Sequence, residues 1–217
     1  METQRAGKTV LILASASPRR QQLLSEAGIE FEVIPSTIEE APTPREDPWD
    51  YAARMAKAKA KSVAMAHPGR WTLGADTIVV VRDDVGVTRI LEKPETPDDA
   101  CDMLRLLSGR SHQVITAVAF ARTNPHEETK SQSNGKKHER LVHSSSFTVS
   151  SRVYFRPIED WEIRAYINTG EPMDKAGAYA IQEGAAQFVE RFTGSWSNIV
   201  GLPVHQVVEW LKKNAEI

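Results

Sequence analysis

The 217-residue sequence contains a single cysteine, Cys101. One thiol excludes an internal disulfide framework and any cysteine-rich zinc site. In the helical pattern DDACDMLRLL it reads as a buried, inert side chain suited to a reducing interior. Long apolar runs are missing too, and none approaches the roughly 20 residues of a membrane span. KTVLILASAS has the outline of a leader, but its apolar run, Val10 to Ala14, falls short of the roughly 7–15 residues of a signal core. A cytoplasmic protein is therefore expected, with no membrane partner. Neither sign of charge dominates: 27 Lys and Arg face 29 Asp and Glu, a formal net charge of -2. That balance argues against nucleic-acid binding over the whole surface, while leaving room for a local basic pocket that takes a small anion.

Familiar catalytic signatures are also absent. Without G-x-x-x-x-G-K-[ST] the chain is not a P-loop NTPase. Without a G-x-S-x-G elbow or a signature Cys/His pair, covalent acyl chemistry has no support. The histidines show no H-E-x-x-H spacing, and there is no internal repeat. What remains is an ordinary globular composition, 41% hydrophobic and 26% charged. The length suits one large domain or two small lobes sharing a core. We expect a single α/β domain over residues 1–217, with its core in 8–215.

The order of patterns supports that class. TVLILAS reads as a short buried strand, followed by a helix from Ser17-Pro18 to Gly28 and a second strand, FEVIP. A helix over 48–67 follows, then a hairpin of WTLGADTIVVV with VTRILEKP. Thr96-Pro97 opens another helix, which closes at Ser108-Gly109. Two long strands, HQVITAVAFAR and FTVSSRVYFRP, flank a polar hairpin loop spanning 123–147. A helix near IEDWEIRAYINTG, the loop EPMDKAGAY, a short strand near AQFVERFTG and a helix in PVHQVVEWLKKN complete the chain.

Functional candidates are polar groups placed where the local pattern calls for something else. Arg19 and Arg20 stand in a first helical turn, against the preference of the helix dipole for acids. With Ser15 and Ser17 they make either an anion site on free backbone N–H groups, or an N-cap beside two solvated arginines. Lys59 lies on the apolar stripe of its helix with Ala52, Met55 and Val63, so it either snorkels to the rim or enters a cleft. Asp76 interrupts an apolar strand, where a carboxylate is either functional or satisfied by nearby amides. Lys93 ends the paired strand with Glu92 as a possible ion partner, and Glu39 and Glu40 supply loop carboxylates. Lys175 and Gln182 sit in a glycine-flanked loop; a Gln amide can read a base edge, and a plain surface loop is the alternative. Together these groups suit a polyphosphate with Mg²⁺ or Mn²⁺ and hydrolysis by activated water.

The segments LILASASPRRQQLL, YAARMAKAKA, GADTIVVV, LEKP, LSGRSHQVITAVA, GEPMDKAGAYAIQ and GSWSNIVGLP occur in the order seen in the Maf family, which the chain closely resembles. The resemblance implies an α/β fold: a mixed twisted sheet with flanking helices and two lobes around a cleft, similar to inosine triphosphate pyrophosphatases. It implies a nucleoside triphosphate pyrophosphatase that forms homodimers. Arg19, Thr77 and Gln182 resemble the branch acting on dTTP, UTP and modified pyrimidine nucleotides. A 7-methyl-GTP or broad-purine enzyme and a nucleotide-binding regulator of septum formation are the alternatives. By the same resemblance Asp76 is the general base, Lys59 and Lys93 serve the phosphates, and Glu40 with Asp76 holds the metal. Ser15, Arg19, Arg20, Thr77, Lys175 and Gln182 contact substrate. Ala180 and Glu183 depart from the glycines often found in the family's GIQG segment.

Overall fold

A computed structural model describes residues 10–39, 43, 46–124 and 142–215. Among them, seven strands form one mixed sheet in the order β2-β1-β3-β5-β6-β7, with β4 paired to β3. The βαβ start is present: β1 (Leu11–Leu13) and β2 (Phe31–Val33) run parallel, joined by α1 (Pro18–Glu26). β3 (Thr72–Arg82) is parallel to β1 and antiparallel to β4 (Thr88–Leu91), the expected hairpin. β5 (Ser111–Thr123), β6 (Val142–Phe155) and β7 (Val189–Thr193) continue antiparallel.

One side of the sheet is covered by α2 (Pro48–Ala66), whose small residues let it settle closely. Ala52, Ala56, Ala60 and Ala64 pack against Ile78, Val80, Ile115, Ala117 and Ala119. The approach is tightest at Gly74, where a Cβ would stand 2.5 Å from the Ala56 carbonyl oxygen and 2.6 Å from the Ala60 nitrogen. Only glycine fits there. The opposite side holds the main core, with Leu24, Leu104, Phe120, Val153, Phe155 and Phe188 among its buried members. It is closed by α3 (Pro97–Leu107), α4 (Asp160–Ile167) and α6 (Val204–Asn214). Trp210 of α6 stacks on Phe120 with ring centroids 3.6 Å apart, which seats that helix. No described helix is long and apolar enough to cross a membrane.

Helix starts follow their sequence signals. Ser17, Asp47 and Thr96 each cap a helix through a side-chain oxygen, with proline next in line. The expected loop over 123–147 is too wide: Thr123 pairs with Val142, and β6 runs through Ser144, Ser145 and Ser146. Those residues carry no apolar pattern, because this end of β6 is held by backbone pairing and only partly covered. Residues 125–141 lie outside the described part. Cys101 is half-buried on α3, more open than its sequence setting suggests.

Candidate active site

The site begins as a gap in the sheet. One edge of β3 pairs with β1 at Thr72 and Leu73, and with β4 from Val79 onward. Between them, Gly74 to Ile78 have no strand partner on that edge among the described residues, while β5 covers the other edge throughout. Asp76 and Thr77 stand in the middle of this gap. The chain leaving β1 turns there into α1, so the opening also faces a strand's carboxyl end and a helix start, a common place for ligands in α/β sheets. A cleft of about 370 Å³ occupies it. Ser15, Arg19, Arg20, Lys59, Asp76, Thr77, Lys93, Lys175 and Gln182 all line this cleft, although they come from five separate parts of the chain.

Alternation along β3 sends Asp76 toward α2 and Thr77 toward the main core. Asp76 is 4% exposed and Lys59 7%, and Lys59 Nζ donates to Asp76 Oδ1 at 2.7 Å. The lysine therefore enters the cleft wall instead of snorkelling outward. A buried ion pair of this kind contributes little net stability, because desolvation offsets its attraction, so its position in a cleft is the more informative fact.

On the other face, Arg20 is built into the wall. Its Nε donates to the Gly201 carbonyl at 2.9 Å, Nη1 to Ser15 Oγ at 3.0 Å and Nη2 to Thr77 Oγ1 at 3.0 Å. One planar fork thus ties the end of β1, the middle of β3 and the end of α5 (Trp196–Val200) together. Arg19 points across the cleft instead, with Nη1 3.8 Å from Asp174 Oδ2.

The loop after α4 forms the far rim. Lys175 is 6% exposed, and its ammonium meets the Glu171 carbonyl at 2.6 Å, Asp174 Oδ1 at 2.7 Å and Glu183 Oε2 at 3.4 Å. Two hydrogen bonds and one ion pair thus bind the loop to itself, and Glu183 takes part in that clamp through the ion pair. Burial works to raise the Asp174 pKa, but the Lys175 hydrogen bond and the charges of Lys175 and Arg19 outweigh it, leaving the group below its ordinary value. Gln182 stands exposed at the rim, and Lys93 is exposed at the end of β4.

The expected metal carboxylate Glu40 lies outside the described residues. Among those described, no group of three His, Cys, Asp or Glu is arranged to hold a metal. Among the described residues the cleft lining contains neither His nor Cys, while Asp76 and Glu92 offer hard oxygens. That donor set fits Mg²⁺ or Mn²⁺ held mainly by a ligand's phosphates and one or two carboxylates.

Four further residues escaped the sequence reading. Tyr51 of α2 donates its hydroxyl to Glu92 Oε1, so this carboxylate is held by α2 and does not simply offset Lys93. His112 and Tyr179 meet at 2.7 Å between Nε2 and Oη behind the rim loop. Burial, aided by the Arg152 charge, lowers the His112 pKa to about 3, so the ring is neutral. Burial pushes the Tyr179 phenol well above its usual range. Asn198 is fully buried, with Nδ2 donating to the Val114 carbonyl and to Ser151 Oγ. Only His112 carried a signal that could have been pursued, as an imidazole within an apolar strand.

A sheet that parts around a buried, lysine-paired aspartate, with arginines at the adjoining helix start, defines an α/β protein suited to a polyanion. The chain belongs to the Maf family: the family model described as Maf-like protein matches residues 10–214. A curated relative from Geobacter sulfurreducens named dTTP/UTP pyrophosphatase is 47% identical over 203 residues, covering 94% of this chain and 95% of the relative. Proteins of the same name from Geotalea uraniireducens (45% identical, 97% of each chain) and Myxococcus xanthus (42%, 96% of this chain and 94% of the relative) are also similar.

Proposed function

We propose that this chain is a nucleoside triphosphate pyrophosphatase that converts dTTP and UTP to the monophosphate and pyrophosphate. The observation that carries the reading is the convergence of Asp76, Lys59, Lys93 and Arg19 on one cleft at the gap in the sheet. The relatives' shared name supplies the substrates. In this reading the triphosphate enters along the start of α1, where Arg19 exchanges Asp174 for phosphate oxygens. Lys93 neutralises further charge from the end of β4. Asp76, fixed through Oδ1 by Lys59, receives the proton of a water that attacks the α-phosphorus. The bond from that phosphorus to the bridging oxygen breaks, and pyrophosphate departs. Positioning and electrostatics supply most of the acceleration in such transfers.

A divalent cation, Mg²⁺ or Mn²⁺, would be held by Asp76, with Glu92 as its neighbour in the lining. When bound, it draws charge from the phosphate oxygens and the leaving group. The proposal includes a homodimer working in the cytoplasm, and light scattering tests the assembly. The activity is tested with a panel of dTTP, UTP, CTP, 7-methyl-GTP and GTP, each with Mg²⁺ or Mn²⁺, measuring pyrophosphate. Turnover of dTTP and UTP above the others is expected. Preference for 7-methyl-GTP, or binding without turnover, contradicts the proposal.

A further inference from the structure

Along β3, every residue from Thr72 to Val81 is buried except Thr77, which opens half-exposed into the cleft. Its hydroxyl has one proton and two lone pairs to distribute. Arg20 has only donors, so Thr77 Oγ1 accepts from Nη2 at 3.0 Å. Directly opposite in the β3–β5 register stands Thr116, fully buried, with the two hydroxyl oxygens 3.0 Å apart. Thr116 Oγ1 also lies 3.0 Å from the backbone carbonyl of Asn198, which can only accept. Thr116 therefore gives its proton to Asn198 and takes the proton of Thr77. In the reverse assignment Thr116 donates to Thr77, whose proton then passes to the Gly201 carbonyl at 3.4 Å. Only the first assignment leaves Thr77 a lone pair for the cleft, since in the reverse one Arg20 and Thr116 occupy both. The shorter contact of Thr116 with the Asn198 carbonyl, 3.0 Å against 3.4 Å for Thr77 with Gly201, favours the first. The Gly201 carbonyl beside it is another acceptor, and the neighbouring lining is apolar, with Ile199 and Val200.

We infer that Thr116 is a positioning residue for base selection, which by taking up the Thr77 proton makes Thr77 an acceptor that favours a pyrimidine carrying a ring N–H. Uracil and thymine have that N3–H; cytosine presents a lone pair at the same position and meets lone pair with lone pair. The inference rests on the nucleotide reading of the cleft and deepens it, assigning the polarity of the base contact to a residue that never touches the base.

The test compares UTP, CTP and N3-methyl-UTP as substrates, and the α,β-methylene analogues of the same three as ligands by calorimetry. Wild type is expected to favour UTP over both others by about tenfold or more, the scale of one mismatched buried hydrogen-bonding group. Thr116→Val keeps the shape but removes the 3.0 Å acceptor, leaving the Thr77 proton only the longer 3.4 Å contact with the Gly201 carbonyl and free to turn to a base acceptor in the cleft. The UTP-to-CTP ratio should narrow by about tenfold. Thr116→Ser should restore it. A folded Thr116→Val with the wild-type ratio overturns the inference. So does equal use of N3-methyl-UTP and UTP by wild type, an arm that decides the matter even if the valine variant fails to fold. An intact ranking of the analogues without hydrolysis overturns the pyrophosphatase reading and supports the Thr116 assignment. Hydrolysis without the ranking does the reverse, and no binding of any analogue overturns both.

Discussion

At the residue scale, Asp76 and Lys59 satisfy each other 2.7 Å apart in the cleft wall. Removing one partner strands the other. Lys59→Met should cost about 3–5 kcal/mol in urea unfolding and abolish turnover, whereas Lys59→Met with Asp76→Leu should recover much of the stability and none of the activity. Recovery of activity in the double variant would show that the pair is structural. Both residues were legible in the sequence, because a charge inside an apolar strand or helix stripe has few explanations. Thr77 and Thr116 carried no such signal on their polarity. Threonine is a good strand former, and their contact exists only once the register of β3 against β5 is known. Of the two arginines at the start of α1, Arg20 bonds to the Gly201 carbonyl, Ser15 and Thr77 in the wall, and Arg19 faces Asp174 across the opening.

At the scale of elements, proline-marked caps fixed where helices begin, and the apolar runs located most strands. Two things stayed hidden. The first is the serine-rich start of β6, since backbone pairing leaves no hydrophobic trace. The second is the gap between β1 and β4 on the edge of β3, because no local pattern reports which strands share an edge. Gly74 marks the place where α2 bears on β3. Gly74→Ala should lower stability by about 1–3 kcal/mol through overpacking, read from the denaturant midpoint. A neutral effect would mean that α2 is not seated this closely. Within the rim loop, Glu183→Gly removes one arm of the Lys175 clamp. Faster proteolysis of the 171–184 segment is expected, and unchanged cleavage would contradict a stabilising role for that ion pair.

For the whole molecule, stability should depend on pH through His112. The folded protein holds this ring neutral, with a pKa near 3, against an ordinary value of 6.5. Below pH 6.5 the unfolded chain therefore binds a proton that the folded protein refuses, and stability falls as pH falls. The slope approaches about 1.4 kcal/mol per pH unit until the folded pKa is reached. Glu46 and Glu162, lowered to about 2 by hydrogen bonds from Arg54 and Arg156, add losses of the same sign, but only nearer and below their ordinary value of 4.5. Urea midpoints at pH 7.5 and 5.5 separate the two windows. His112→Phe should be less stable at both values yet nearly level between them, and an unchanged slope would assign the effect elsewhere.

In the proposed reaction, water activated at Asp76 attacks the α-phosphorus of a pyrimidine nucleoside triphosphate in this cleft. Hydrolysis of dTTP in heavy-oxygen water, with mass analysis of the products, tests it most directly. The expected products are dTMP and pyrophosphate, with the heavy oxygen in dTMP, and folded Asp76→Asn should turn over at least about a hundredfold more slowly, the lower end of what a positioned base contributes. Label in pyrophosphate, release of dTDP with inorganic phosphate, or near-wild-type turnover by Asp76→Asn would contradict it.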